Sequence, residues 1–150
     1  MTHAHPEGID GAIAVAVAAA MAGRARQDGI APDRAAFLGA VLARVPFGEV
    51  HSRLRRAHDL SVGLPVETAA EILGTGTLIS AQDTVPFALW CAARHLDDYE
   101  AALWTTVSGL GDRDTTCAIA GGVVACFTGV DGIPVAWRSA REPLPSLEAW

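Results

Sequence analysis

The chain has 150 residues, 51% of them hydrophobic and 19% charged, with a formal net charge of −6. That length gives one domain or a part of one, and a real core is within its reach, since such a chain buries ~70% of its unfolded surface. An acidic chain cannot hold a phosphate backbone by charge alone, so no nucleic-acid partner is expected, and a phosphorylated ligand would need metal ions or helix N-termini to hold it.

The chain opens on His3-Ala4-His5-Pro6-Glu7, a short extended piece, because the residue before a proline is pushed out of the helical region. A helix is predicted from about Glu7 to about Gln27. Within it, Gly11 to Gly23 is a 13-residue apolar run. Glu7 and Asp10 precede that run where a signal peptide would carry Lys or Arg, and the run is shorter than a bilayer span. The reading is a buried, Ala-rich helix with no membrane involved.

Asp28-Gly29 breaks this helix, and Pro32 and Asp33 begin a second. Phe37, Leu38, Val41, Leu42 and Val45 repeat there at helical spacing until Pro46 stops it. A third, more polar helix covers about Gly48 to Leu60, with Glu49 and Arg53 as an i,i+4 ion pair and Val50 and Leu54 facing inward. Val66 to Leu73 form a short helix closed by Gly74. Gly74-Thr75-Gly76-Thr77 is a glycine-bearing loop, either a plain turn or a place where a ligand meets the backbone.

Asp83 or Thr84 is expected to cap the next helix, with Pro86 in its first turn and Phe87, Leu89, Trp90, Cys91 and Leu96 supplying core. Asp97 and Glu100 fit a capping box for the helix that carries Leu103, Val107 and Leu110. A polar turn, Gly111-Asp112-Arg113-Asp114-Thr115-Thr116, then enters the run Cys117 to Phe127. That run is apolar on every side, so it is expected to be buried, with its first turn at the mouth of an interior site. Gly129 to Pro134 make a turn before a last short helix bearing Trp137. With no sustained strand alternation, the expected fold class is all-α, a compact multi-helix bundle.

Cys91, Cys117 and Cys126 are odd in number and form no C-x-x-C pair. They read as buried, reduced thiols of a cytoplasmic protein, with no support for a zinc site.

Asp112, Asp114 and Thr115 are the candidate site. They offer oxygen atoms only, the ligand set of a hard cation such as Mg²⁺. Helix capping is the competing reading, since Asp and Thr are favoured where a helix begins and the helix dipole favours the carboxylates. One cap is enough for one helix, which leaves the second carboxylate to Arg113 or to an ion.

Three pieces together resemble the ADP-ribosylglycohydrolase family. They are Thr2-His3-Ala4-His5-Pro6-Glu7 before the Ala-rich helix, Gly74-Thr75-Gly76 followed by Thr84-Val85-Pro86-Phe87-Ala88-Leu89-Trp90, and Gly111 to Gly121 followed by Ile133-Pro134 and Trp137. Their order and spacing match the second half of that family. The resemblance implies an all-α hydrolase with a two-magnesium centre, Mn²⁺ being the alternative ion, that releases ADP-ribose from modified proteins or small molecules. It further implies that Asp112, Asp114 and Thr115 are metal ligands and that His3 lines the ADP-ribose cleft. Leu110 stands where the family usually has a glycine, and Arg113 where it usually has a threonine, so an arginine sits between two ligands with which it could pair. The family's other metal motif, of T-D-D type, has no counterpart here. The resemblance therefore implies the C-terminal half of such an enzyme, partnered by a complementary N-terminal segment or by a second copy of itself. The alternative is a helical binding or assembly module that kept the fold and lost the chemistry.

Overall fold

In the computed structural model, which describes residues 4–143, the helix Ala81–Arg94 is buried at every residue from Asp83 to Ala93, and other helices surround it. In chain order the helices are α1 (Pro6–Asp28), α2 (Arg34–Leu42), α3 (Glu49–Asp59), α4 (Val66–Leu73), α5 (Ala81–Arg94), α6 (Tyr99–Ser108), α7 (Arg113–Thr128) and α8 (Val135–Ala140), with a 3₁₀ turn at Val130–Gly132. No strand occurs among the described residues, so the all-α expectation holds. The core around α5 contains Trp90, Phe87 and Leu89 from that helix, Phe37 and Leu38 from α2, Leu54 from α3 and Leu73 from α4.

Local chemistry explains where the helices begin and end. His5 takes an extended backbone, its Nδ1 accepts the Glu7 amide at 3.2 Å, and Pro6 follows, where its missing N–H costs nothing. Gly29 ends α1 with φ +70°, a conformation glycine adopts without penalty. Asp33 caps α2 by accepting the Ala36 amide at 3.0 Å. Gly48, at the start of α3, has no side chain to offer, and Glu7 of α1 reaches across instead, accepting the amides of Glu49 at 3.0 Å and Val50 at 2.7 Å. At the other end of α3, the Arg34 guanidinium donates to the carbonyls of Ala57 and Leu60. The orphan groups at both ends of α3 are thus met by other elements of the fold.

Several expectations need correction. The helix buried on all sides is α5, whereas α7 buries one face through Thr116, Ala120, Gly121, Val123 and Val124 and leaves Ala118, Gly122 and Cys126 exposed. The apolar run of α1 is likewise not interior. Only Gly11, Ala14, Ala18 and Ala22 are buried, and the helix is 23 residues long, so the shortness argument against a span does not hold for the whole helix. Composition reports how apolar a helix is, but burial depends on how many neighbours surround it, and α5 has them on every side.

Cap positions also shift. The N-cap of α5 is Ser80, not Asp83 or Thr84, which places Pro86 inside the helix. The cap of α6 is Asp98, whose Oδ1 accepts the Ala101 amide at 2.9 Å, and Glu100 instead accepts from the Trp104 indole at 3.3 Å. Arg53 does not pair with Glu49. It lies 3.7 Å from Asp83 and donates to the Leu73 carbonyl at 3.4 Å. Of the cysteines only Cys91 is buried, and burial pushes its thiol up to about 12, while Cys126 is exposed.

Candidate functional site

The start of α7 is positioned by a tight joint between two loops. Leu110 and Gly111 both take left-handed backbone, at φ +61° and +66°. This turns the chain so that the Asp112 amide donates to the Thr75 carbonyl at 2.9 Å. A Cβ on Gly111 would lie 2.6 Å from that same carbonyl oxygen and closer still to the Thr75 side chain. Gly76, at φ +86°, meets Asp112 from the other side, where a Cβ would sit 2.8 Å from the Asp112 Cβ. The two glycines let the backbones approach each other.

Asp83 organises the Gly74-to-Ser80 loop from below. Its carbonyl accepts the Gly76 amide at 2.9 Å, its Oδ2 accepts the Leu78 amide at 2.9 Å, and its Oδ1 faces Arg53. The loop then passes through Ile79, a β-branched residue at φ +51° whose side chain is 93% exposed. Left-handed backbone is costly for such a residue, so the contacts on either side must hold it there. The sequence offered one signal for this joint, the pair of glycines around Thr75. Nothing in it marked Asp83 as the clamp.

Asp112 is the N-cap of α7. Its Oδ1 accepts the Thr115 amide at 3.2 Å, and its carbonyl accepts the Thr116 hydroxyl at 2.8 Å. The Thr115 hydroxyl, followed by the Asp114 carboxyl and the Thr115 amide, holds the Asp112 carboxyl below its usual range. Asp112, Asp114 and Thr115 share the first turn of α7, Asp112 as its cap and the other two within it. Among the described residues no ion pair joins Arg113 to either aspartate, so the expected competition for the carboxylates is not seen. Asp114 and Thr115 are exposed and Asp112 half-buried, so this turn lies on an open face and not at the mouth of an interior site.

Beside this turn runs a groove of about 690 Å³ between α1 and the starts of α5 and α7. Gly8, Gly11, Ala12, Val15 and Ala16 form one wall, and Ile79, Ser80, Thr84, Asp112, Thr115 and Ile119 form the other. The walls are mostly apolar, and among the described residues Asp112 is the one charged residue that lines them.

The donor set suits one hard cation. Mg²⁺ is held through one or two carboxylates and keeps several waters, so two carboxylates and a hydroxyl on one turn meet that need. A second ion would need further ligands, and among the described residues no group of three or more His, Cys, Asp or Glu assembles. His3, the other nominated residue, lies outside the described residues.

The family model described as ADP-ribosylglycohydrolase matches residues 1–149. No curated protein and no solved structure gives a match.

Proposed function

The chain belongs to the ADP-ribosylglycohydrolase family, and on that basis we propose that it serves magnesium-dependent hydrolysis of ADP-ribosyl glycosidic bonds, with Asp112, Asp114 and Thr115 as its share of a two-ion site. The observation that carries this reading is the gathering of two carboxyls and a hydroxyl on the first turn of α7, with Arg113 paired to neither aspartate. A single capping residue would satisfy the helix, so the second carboxyl is left over for a cation.

Cleavage at the ribosyl C1 builds oxocarbenium character, and magnesium supplies there the positive charge that orients hydroxyls and acidifies water. The chain's own residues do three things in this scheme. Asp112 and Asp114 present carboxylate oxygens to the cation. Gly76 and Gly111 keep Asp112 in place by admitting the Thr75 backbone. The small residues of the groove, Gly8, Gly11, Ala12 and Ala16, leave room for a ligand beside the carboxylates, and their apolar surface limits water on that side. His3 and the complementary segment that brings the remaining ligands belong to the same proposal.

Calorimetry with ADP-ribose and the purified chain, with and without Mg²⁺, tests the reading. Binding that needs magnesium and is lost in Asp114→Asn supports it. Binding indifferent to the metal removes it.

A second reading, a non-catalytic assembly module, is favoured by the unpartnered apolar faces of α1 and α7. It predicts no magnesium-dependent binding of ADP-ribose at all, and no release of ADP-ribose after any complementary segment is added.

A further inference from the structure

Asp83 has a buried carboxylate that does nothing for its own helix. Its side chain is 5% exposed. Acidic residues where a helix begins ordinarily accept the free amides of its first turn. Among the described residues the one amide that reaches the Asp83 carboxylate is that of Leu78, at 2.9 Å from Oδ2, and Leu78 precedes α5. Ser80 occupies the cap position of α5 without a side-chain bond. Oδ1 faces the Arg53 guanidinium of α3 at 3.7 Å, and Arg53 in turn donates to the Leu73 carbonyl at 3.4 Å. A buried carboxylate with one cation at that distance is a poor source of stability, because desolvation offsets most of the attraction. What the side chain supplies is geometry.

That geometry surrounds Thr75. Gly74, at φ +92°, packs so closely on the carboxylate that a Cβ there would overlap Oδ1. On the other side, Gly76 donates to the Asp83 main-chain carbonyl at 2.9 Å, and Leu78 donates to the carboxylate. Asp83 therefore grips the loop both before and after Thr75, whose carbonyl accepts the Asp112 amide at 2.9 Å. The place of Asp112 is set, through that loop, by a carboxylate on a different helix. Both Asp83 oxygens are already engaged, so this residue acts on the turn without contacting an ion. Groups that orient metal ligands from behind govern affinity nearly as strongly as the ligands do.

We propose that Asp83, steadied by Arg53, is a positioning residue that sets the magnesium affinity of the Asp112 turn through Thr75; this rests on the reading of that turn as a magnesium site.

Amide hydrogen exchange and magnesium calorimetry on the whole chain test it. In metal-free Asp83→Ala, exchange of the Asp112 amide should quicken at least about tenfold more than that of Trp90, an amide in the middle of α5 that reports global opening. Magnesium affinity should fall roughly ten- to a hundredfold. Arg53→Met leaves the carboxylate in place without its cation. It should move both readouts in the same direction, and it takes over the test if Asp83→Ala does not fold. Asp33→Ala is the control, removing the cap of α2 beside the far end of α5. It should lose stability yet keep wild-type magnesium affinity, with no extra exchange at Asp112. An Asp83→Ala that behaves like Asp33→Ala has lost only stability, and overturns the proposal. So does Asp112 exchange that tracks Trp90 in both Asp83→Ala and Arg53→Met. A wild type that binds magnesium beside an Asp83→Ala that binds it equally well overturns the positioning role alone. A wild type that ignores magnesium overturns the metal reading of the turn and the positioning role with it.

Discussion

Asp112 hangs from Thr75: the Asp112 amide donates to the Thr75 carbonyl at 2.9 Å, and Gly111 packs against Thr75 too closely for any side chain. The candidate site therefore depends on a contact between two loops that are far apart in sequence. Gly111→Ala should disrupt it twice, by placing a Cβ against the Thr75 backbone and by straining a residue at φ +66°. The expected loss is about 1–3 kcal/mol of stability, measured by urea unfolding. An unchanged midpoint would mean that the loops are not joined as described.

Leu110 makes the opposite case. It holds φ +61° with its side chain 63% exposed, so it bears backbone strain with little burial to offset it. Family members usually carry glycine at this position, and left-handed backbone is a physical reason for that preference. Leu110→Gly should relieve the strain, offset in part by the greater freedom of glycine in the unfolded chain. The expected net gain is about 0.5–1 kcal/mol, visible as a raised thermal midpoint. A clear loss of stability would show that the Leu110 side chain contributes packing that outweighs its backbone.

Helix existence could be read from the chain, because prolines and glycines punctuate it and apolar residues recur at helical spacing between them. Val66–Leu73 falls where the sequence placed it, and α1, α2, α3 and α7 differ by only a few residues at their ends. What could not be read depends on distant partners. Asp83 looks like a cap because aspartate often is one, but its carboxylate is taken by the Leu78 amide and faces Arg53 of another helix. Asp97 and Asp98 are chemically alike, and which of them caps α6 depends on the residue whose backbone is extended, a matter of one peptide unit. The uniform apolarity of α7 suggested burial, yet among the described residues its Ala118, Gly122 and Cys126 are exposed. For the site, the three oxygen donors were legible as a string, whereas the Thr75 and Gly76 scaffold beneath them was visible only as a pair of glycines.

Glu7 should give the fold a measurable acid sensitivity. Its carboxylate accepts the Glu49 and Val50 amides at the start of α3, and these bonds hold it below the usual glutamate range. A carboxyl depressed in the folded state adds stability above its unfolded range, and that stability is lost as pH falls through the folded value. Glu7→Gln keeps the shape and removes the charge, so it should cost about 1 kcal/mol at pH 7, a figure kept small because the site is close to solvent. The gap between the two proteins should start to shrink as pH falls below the usual glutamate range and close as pH falls through the lower folded value, where the wild-type carboxyl is protonated in the native state as well. Urea midpoints measured at several pH values decide this, and a gap of constant size down to the most acidic point would contradict it.

Asp112 performs one task that is seen, capping α7, and one that is proposed, holding a cation. Two substitutions separate them. Asparagine caps a helix about as well as aspartate, so Asp112→Asn should leave stability close to that of the wild type, whereas Asp112→Ala, which leaves the Thr115 amide unmet, should lower it. Both variants remove a charged oxygen ligand and should weaken magnesium binding at least about tenfold. Thermal midpoints taken with and without MgCl2 read both effects in one experiment. If the turn binds the metal, magnesium raises the wild-type midpoint and neither variant responds. If Asp112 is a cap and nothing more, Asp112→Asn behaves as wild type in every condition while Asp112→Ala is uniformly less stable, and the second carboxyl at Asp114 is then left without a role in metal binding.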